Sequence, residues 1–164
     1  MKFEGFAHKY GDNLNTDVMI PGPYMATCDR AIMAAHAMEG IDPDFTKRVR
    51  QGDIIVGGKN FGCGSTRPAA RTLSDAGVSC IIARSFARLF LRNAINLGVP
   101  AMECAEAADG ISTGDRVEVD AVKGTIRNLT TGATFAIRPM APFLQEIILL
   151  GGLVNYAKEK LKNP

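Results

Sequence analysis

The sequence has no tryptophan, few aromatic residues, and only two histidines and four cysteines among its 164 residues. The cysteines stand at positions 28, 63, 80 and 104, so no two of them form the C-x-x-C pair of a metal finger. The histidines, His8 and His36, are also far apart in the chain. We therefore expect no metal site in this chain, and free thiols as in cytoplasmic proteins.

Long hydrophobic runs and a strong net charge are absent as well. The most apolar segment, residues 143–154, is interrupted by Gln145, Glu146 and two glycines. It is far shorter than the roughly 20 residues that span a bilayer. The first eight residues lack the apolar run of a signal peptide, and the net charge of +2 comes with no basic stripe. These features predict a cytoplasmic protein without a membrane or nucleic-acid partner.

The length and the globular composition favour one domain over residues 1–164. Apolar runs bounded by turn residues predict strands over residues 2–8, 53–56, 78–83, 100–104, 116–120, 124–128 and 134–137. Helical periodicity and cap residues predict helices over residues 29–39, 43–50, 68–76, 86–97, 143–150 and 153–161. Ser85 is the expected N-cap of the fourth helix. Residues 10–17 are rich in turn formers, and Pro21 and Pro23 exclude a regular helix in residues 18–25. Strands and helices alternate in the middle of the chain, which predicts a parallel βαβαβ core and an α/β fold.

A glycine-rich stretch separates the second strand from the next helix. It has glycines at positions 57, 58, 62 and 64 and continues into Ser65, Thr66, Arg67 and Pro68. Glycine lets a ligand approach the main chain, a helix N-terminus attracts anions, and an arginine fork matches a carboxylate. Ser65 or Thr66 before a proline is also what simple helix capping requires. From composition alone, capping and an anion site both remain open, but the spacing excludes a dinucleotide or Walker motif.

A second turn-rich stretch runs over residues 11–17 and ends in Asp17. An acid in a rigid loop could orient an arginine or transfer a proton. Taken alone, an aspartate in such a stretch is more often an Asx-turn residue.

Together the two stretches resemble a known family. The motif Asn-Thr-Asp-x-x-Ile-Pro at residues 15–21 and Gly-Lys-Asn-Phe-Gly-Cys-Gly-Ser at residues 58–65 are similar to those of 3-isopropylmalate dehydratase small subunits. Homoaconitase and dimethylmalate dehydratase small subunits, and the swivelling domain of aconitases, are equally similar. Residues 83–90 and 92–100 match as well, so the resemblance covers nearly the whole chain.

The resemblance implies a swivelling β/β/α domain and the reversible dehydration of a small hydroxy acid. It implies a [4Fe-4S] cluster held by three cysteines of a large partner subunit, so this chain would hold no cofactor and act only with that subunit. The leading hypothesis is interconversion of 2-isopropylmalate and 3-isopropylmalate in leucine biosynthesis. The alternatives are a dimethylmalate, citramalate or homoaconitate enzyme, and a non-catalytic anion-binding or assembly module.

The resemblance also implies roles for single residues. Ser65 matches the family's base, and Thr66 matches a serine that binds a substrate carboxylate. Arg67 matches the arginine that clamps a carboxylate, and Gly64, directly before Ser65, is expected to contribute to substrate binding. Asp17 matches an acid that lines the site. The chain departs from the family at Pro68, where relatives have glutamate. The orienting function of that glutamate must therefore be supplied by another residue or is not needed.

The segment Tyr24-Met25-Ala26-Thr27 corresponds to the loop that sets substrate specificity in relatives. An arginine in that loop pairs with a distal carboxylate in homoaconitases, whereas the next arginine here is Arg30. Because a desolvated carboxylate without a cation is costly, we expect an apolar or small distal group on the substrate.

Overall fold

A computed structural model of the chain describes residues 1–27, 29–64 and 67–162. Ser65 and Thr66 therefore lie outside the described residues. Seven strands are present in this part of the chain: β1 (Lys2–Lys9), β2 (Ile54–Gly57), β3 (Cys80–Ala83), β4 (Ala101–Glu103), β5 (Arg116–Asp120), β6 (Thr125–Asn128) and β7 (Thr134–Ala136). They form one sheet in the order β4-β3-β2-β1-β5-β6-β7.

The sheet has a parallel half and an antiparallel half that meet at β1. Strands β1, β2, β3 and β4 are parallel neighbours, with Ile55 opposite Ile81. On its other side β1 pairs with β5 in antiparallel fashion, and β5, β6 and β7 continue as a meander. All four residues of β2 and of β3 are buried, as expected for parallel strands that are covered on both faces. The predicted βαβαβ core is confirmed.

The helices of the described residues are α1 (Thr16–Met19), α2 (Arg30–Ala35), α3 (Phe45–Arg48), α4 (Ala69–Asp75), α5 (Arg88–Asn96), α6 (Ala105–Gly110), α7 (Pro142–Leu149) and α8 (Leu153–Lys162), with a 3₁₀ turn over Gly22–Ala26. Helix α4 connects β2 to β3, and α5 connects β3 to β4. None of the described helices is long and apolar enough to cross a membrane.

Two apolar clusters cover the two faces of the parallel half. Ile55 and Ile81 pack with Leu73 of α4 on one face, while Ile54 and Ile82 face the other. This division follows from the alternation of side chains along a strand. The second cluster also contains buried residues of α6, β5 and β6, so the antiparallel half curls over that face.

A buried pair ties β1 to the start of β2. His8 Nε2 lies 2.9 Å from Asp53 Oδ2, and the carboxylate also accepts the N–H groups of Phe6 and Arg50. Burial raises the pKa of Asp53, but the hydrogen bonds from His8, Arg50 and Phe6 outweigh it and bring the pKa below its ordinary value. A cavity of about 290 Å³ adjoins this pair, at the amino ends of the parallel strands.

Some local predictions are wrong at their ends. The helix predicted from residue 29 ends at Ala35, because Met38 adopts a φ of 65° and its N–H bonds to Met19. Ser85 does not cap α5, because the N-cap of that helix is Ala87. The Oγ of Ser85 instead accepts the Asn60 N–H at 2.9 Å. Helices α1 and α6 have no counterpart among the predicted elements. Helix α1 is a single turn that extends into residues 18–25, where no regular helix was predicted, and it ends at Met19, before Pro21.

Candidate active site

Two loops lie side by side at the carboxyl ends of β1 and β2. We call residues 11–17 the aspartate loop and residues 58–64 the glycine loop. Backbone hydrogen bonds of 2.7–2.8 Å join them in three places: Asn13 N–H to Lys59 O, Gly62 N–H to Leu14 O, and Thr16 N–H to Cys63 O. The carboxyl edge of parallel strands is where open α/β sheets bind ligands. The two motifs singled out in the sequence thus form one surface.

The glycine loop has no space for side chains at two of its glycines. A Cβ on Gly64 would lie 2.1 Å from Asn15 Oδ1, and a Cβ on Gly62 would lie 2.2 Å from the ring of Phe90. Both glycines also have positive φ values, +100° and +78°, which favour glycine. Phe90 forms an aromatic cluster with Phe61 and Phe86 at centroid distances of 5.3–5.9 Å. The packing therefore holds the loop in one conformation.

Asp17 lies in the first turn of α1. Asn15 is the N-cap of this helix, and its side chain accepts the Asp17 N–H at 2.8 Å. The Asx-type contact in this stretch therefore belongs to Asn15. The carboxylate of Asp17 instead pairs with Arg67, whose Nε lies 2.8 Å from Oδ1.

Arg67 connects the end of the glycine-rich stretch to the end of α1. Besides pairing with Asp17, it donates from Nη1 to the carbonyl of Ile20 at 2.6 Å. Only 21% of the Arg67 side chain is exposed, against 48% for Asp17. Two of the predicted site residues, 50 positions apart in the sequence, are thus brought into direct contact.

The start of α4 differs from the capping arrangement considered above. The helix begins at Ala69, so Pro68 is the N-cap, not the first helical residue, and makes no side-chain cap hydrogen bond. An N-cap side chain binds the N–H groups two or three residues further on. By position in the chain, Ser65 and Thr66 come too early for that role.

The predicted specificity segment, residues 24–27, lies within and just after the 3₁₀ turn that follows α1. Tyr24 and Met25 are half-buried and pack against the first apolar cluster, whereas Ala26 and Thr27 are exposed. Thr27 Oγ1 accepts the Asp29 N–H at 2.8 Å. The turn begins two residues after Ile20, the residue whose carbonyl holds Arg67.

A cluster beside this segment has no counterpart in the sequence-based predictions. The Tyr24 ring stacks on His36 at 3.8 Å, and its hydroxyl donates to Glu39 Oε1 at 3.1 Å. Partial burial and the bond to Glu39 raise the pKa of Tyr24. The His36–Glu39 spacing of three residues is the one signal in the sequence that could have suggested the pair.

The cysteines of the described residues are poorly suited to hold iron. Cys63, Cys80 and Cys104 are free thiols, and burial raises the pKa of Cys80 to about 12. Within residues 1–27, 29–64 and 67–162, no three His, Cys, Asp or Glu side chains are grouped to bind a metal ion. An iron–sulfur cluster does not fit this part of the chain.

Comparison with known proteins identifies the family. Residues 12–107 match the aconitase C-terminal domain family. The 3-isopropylmalate dehydratase small subunit of Caldicellulosiruptor saccharolyticus is 53% identical over 163 residues, which cover 99% of this chain and 94% of the relative. That of Ruminiclostridium cellulolyticum is 51% identical, with coverage of 98% and 99%. The chain belongs to the family of 3-isopropylmalate dehydratase small subunits.

A solved structure from this family has the same fold. The crystal structure of 3-isopropylmalate dehydratase from Methanocaldococcus jannaschii superposes with a TM-score of 0.93 at 44% identity, covering 99% of this chain and 96% of that one. The resemblance seen in the sequence and the swivelling α/β fold are confirmed. The aspartate loop and the glycine loop are therefore the candidate contribution of this chain to an active site of this family.

Proposed function

We propose that the chain is the small subunit of a 3-isopropylmalate dehydratase, a hydro-lyase that interconverts 2-isopropylmalate and 3-isopropylmalate in leucine biosynthesis. The Asp17–Arg67 pair carries this proposal, because it joins the first family motif to the residue two positions after the second motif, at one edge of the sheet. The high identity to relatives of that name supports it over homoaconitate and dimethylmalate enzymes, and over a non-catalytic module.

In the proposed reaction Arg67 binds the substrate and Ser65 removes a proton from it. Arg67, oriented by Asp17 and by the Ile20 carbonyl, binds a substrate carboxylate with its fork, and Thr66 adds a hydroxyl to that contact. Ser65 takes the proton from the carbon next to a carboxylate. The electron pair of the broken C–H bond forms the double bond, and the hydroxyl of the neighbouring carbon leaves with the electrons of its C–O bond. A proton from the solvent converts this hydroxide into water. Rehydration in the opposite sense completes the isomerisation.

A serine needs help to act as a base. Its oxygen must lose a proton, which requires a positive and desolvated setting. The mostly buried guanidinium of Arg67, two residues further along the chain, supplies positive charge. We propose that a [4Fe-4S] cluster on the large subunit supplies the Lewis acid for the leaving hydroxyl.

The segment of residues 24–27 fits an apolar distal group. Met25 is half-buried, and the small side chain of Ala26 leaves room at the exposed end of the turn. Arg30 does not serve as the cation for a distal carboxylate, since its side chain donates to both oxygens of Asp75 at 2.8 and 2.5 Å. We therefore expect an alkyl-substituted malate to be preferred over one that carries a third carboxylate.

Introducing an arginine at Ala26 should change this preference. In the complex with the large subunit, Ala26→Arg is expected to raise kcat/KM for homoaconitate relative to 3-isopropylmalate by more than about 10-fold. The new arginine would pair with the distal carboxylate of homoaconitate, which would otherwise be desolvated without a cation. Ala136→Arg, at an exposed position of β7, is the matched control. If the wild-type complex already turns over homoaconitate faster at equal low concentration, this interpretation of the segment is wrong.

The proposed function itself is tested by reconstitution. The purified chain alone is expected to fold, to bind no iron and to show no dehydratase activity. Mixing it with the cognate large subunit should give activity on a panel of hydroxy acids, with the isopropylmalates as the best substrates. Stoichiometric iron and sulfide in the lone chain would overturn the assignment of the cluster to the partner, and an inactive mixture would overturn the proposed function.

A further inference from the structure

The carboxylate of Glu39 contacts Tyr24, the first residue of the specificity segment, and His36 beside it. Its Oε1 accepts the Tyr24 hydroxyl at 3.1 Å, and its Oε2 contacts Nδ1 of His36. Because a carboxylate only accepts hydrogen bonds, Nδ1 carries the proton of the second contact. The Tyr24 and His36 rings are stacked within 8° of parallel. Each of the three side chains therefore restrains the other two.

The backbone on both sides of Glu39 is bound to α1. The Met38 N–H donates to the Met19 carbonyl at 2.7 Å, and the Gly40 N–H donates to the Val18 carbonyl at 3.1 Å. A Cβ on Gly40 would lie only 2.7 Å from the same Val18 oxygen, so the two segments are in close contact. Glu39 is thus fixed relative to the helix that carries Asp17.

Apart from the packing of Tyr24 and Met25 against the first apolar cluster and the Thr27–Asp29 bond, the specificity segment has little burial to hold it. The 3₁₀ turn Gly22–Ala26 contains no fully buried residue and has no side-chain cap at its start. Segments with little apolar burial open most easily. The polar contacts of Tyr24 therefore carry much of the positioning of this turn.

From this arrangement we propose that Glu39 is a positioning residue for substrate specificity. Through Tyr24 and His36 it sets the position of Met25, Ala26 and Thr27 relative to Asp17 and Arg67. It touches no reacting atom in this scheme. The inference rests on the proposed function, since it concerns the distal end of the same substrate site.

The chain contains a matched control for this contact. The hydroxyl of Tyr10 donates to Asp42 Oδ2 at 2.8 Å, so Tyr10→Phe removes the same kind of bond away from the segment. Tyr24→Phe and Glu39→Ala remove the proposed contact, and Glu39→Gln keeps one acceptor oxygen.

Hydrogen exchange of the full chain tests the restraint without any substrate. In Tyr24→Phe and Glu39→Ala, the amides of residues 24–27 are expected to exchange several-fold faster than in the wild type, while those of β2 and β3 stay unchanged. Glu39→Gln should lie between, and Tyr10→Phe should leave this segment as it is. Unchanged exchange of the segment in a folded Glu39→Ala chain would overturn the proposal.

Kinetics of the complex with the large subunit test the consequence for specificity. Glu39→Ala is expected to raise KM for 3-isopropylmalate by about 3- to 10-fold, the effect of about one lost hydrogen bond, with kcat nearly unchanged. The rise should be smaller for 3-methylmalate, the homologue of 3-isopropylmalate whose distal group is a methyl. An equal rise for both acids, or the same rise in Tyr10→Phe, would show that Glu39 does not position the specificity segment. An inactive wild-type complex would refute the proposed function, and with it this role in specificity, while exchange still decides whether Glu39 restrains the segment.

Discussion

Replacing Ser65 with alanine is expected to lower kcat of the reconstituted enzyme by on the order of 10²–10⁴-fold, the range for a positioned proton-transfer group. KM should change little, because in the proposed reaction Arg67 and Thr66 still bind the substrate carboxylate. Steady-state kinetics with 3-isopropylmalate measure both parameters. Ser112→Ala, at an exposed turn before β5, is the matched serine control and should keep wild-type turnover.

The same variant separates the capping role of Ser65, which composition left open, from the role as a base that the resemblance implies. If Ser65 only capped α4, its loss would lower the free energy of unfolding by about 0.5–2 kcal/mol and leave turnover intact. Since α4 begins at Ala69, we expect the opposite result, with an unchanged melting temperature and a large loss of kcat. Near-wild-type turnover in Ser65→Ala would contradict its role as the base.

The strands could be predicted from the sequence because their local signals agree with their surroundings. The apolar runs of β2 and β3 are buried on both faces, so hydrophobicity alone marks them. Helix ends were less predictable, because distant contacts decide them. Serine is a residue type that favours the N-cap position, but the hydroxyl of Ser85 instead accepts the N–H of Asn60 in the glycine loop. The end of α2 depends on a hydrogen bond between Met38 and Met19, which no local pattern contains.

The candidate site was predictable only in part for the same reason. The motifs pointed to Asp17 and Arg67 separately, through resemblance to the family. Their contact at 2.8 Å, and the hold of Arg67 on the Ile20 carbonyl, depend on how β1 and β2 pair. The Glu39 contacts depend on the stacking of Tyr24 and His36, so they too required the tertiary structure.

Substituting lysine for Arg67 should lower kcat/KM for 3-isopropylmalate by about 10- to 150-fold, the effect of one lost charge-assisted hydrogen bond. Lysine keeps the charge but is a point donor on a flexible stem, so it cannot donate from Nε to Asp17 and from Nη1 to Ile20 at once. Most of the loss is expected in KM, since the substrate carboxylate loses its oriented fork. The kinetics of the reconstituted complex measure the split.

Arg71→Lys provides the control for this change. Arg71 lies on α4 and donates from Nη2 to the Leu97 carbonyl at 3.0 Å, so the substitution removes a comparable arginine–carbonyl contact away from the two loops. A double-mutant cycle of Arg67→Lys with Asp17→Asn then tests the pair itself. If Asp17 acts mainly by orienting Arg67, Asp17→Asn should lower kcat/KM only a little in a chain that already carries Arg67→Lys. Additive losses would show instead that Asp17 contributes to the reaction independently of Arg67.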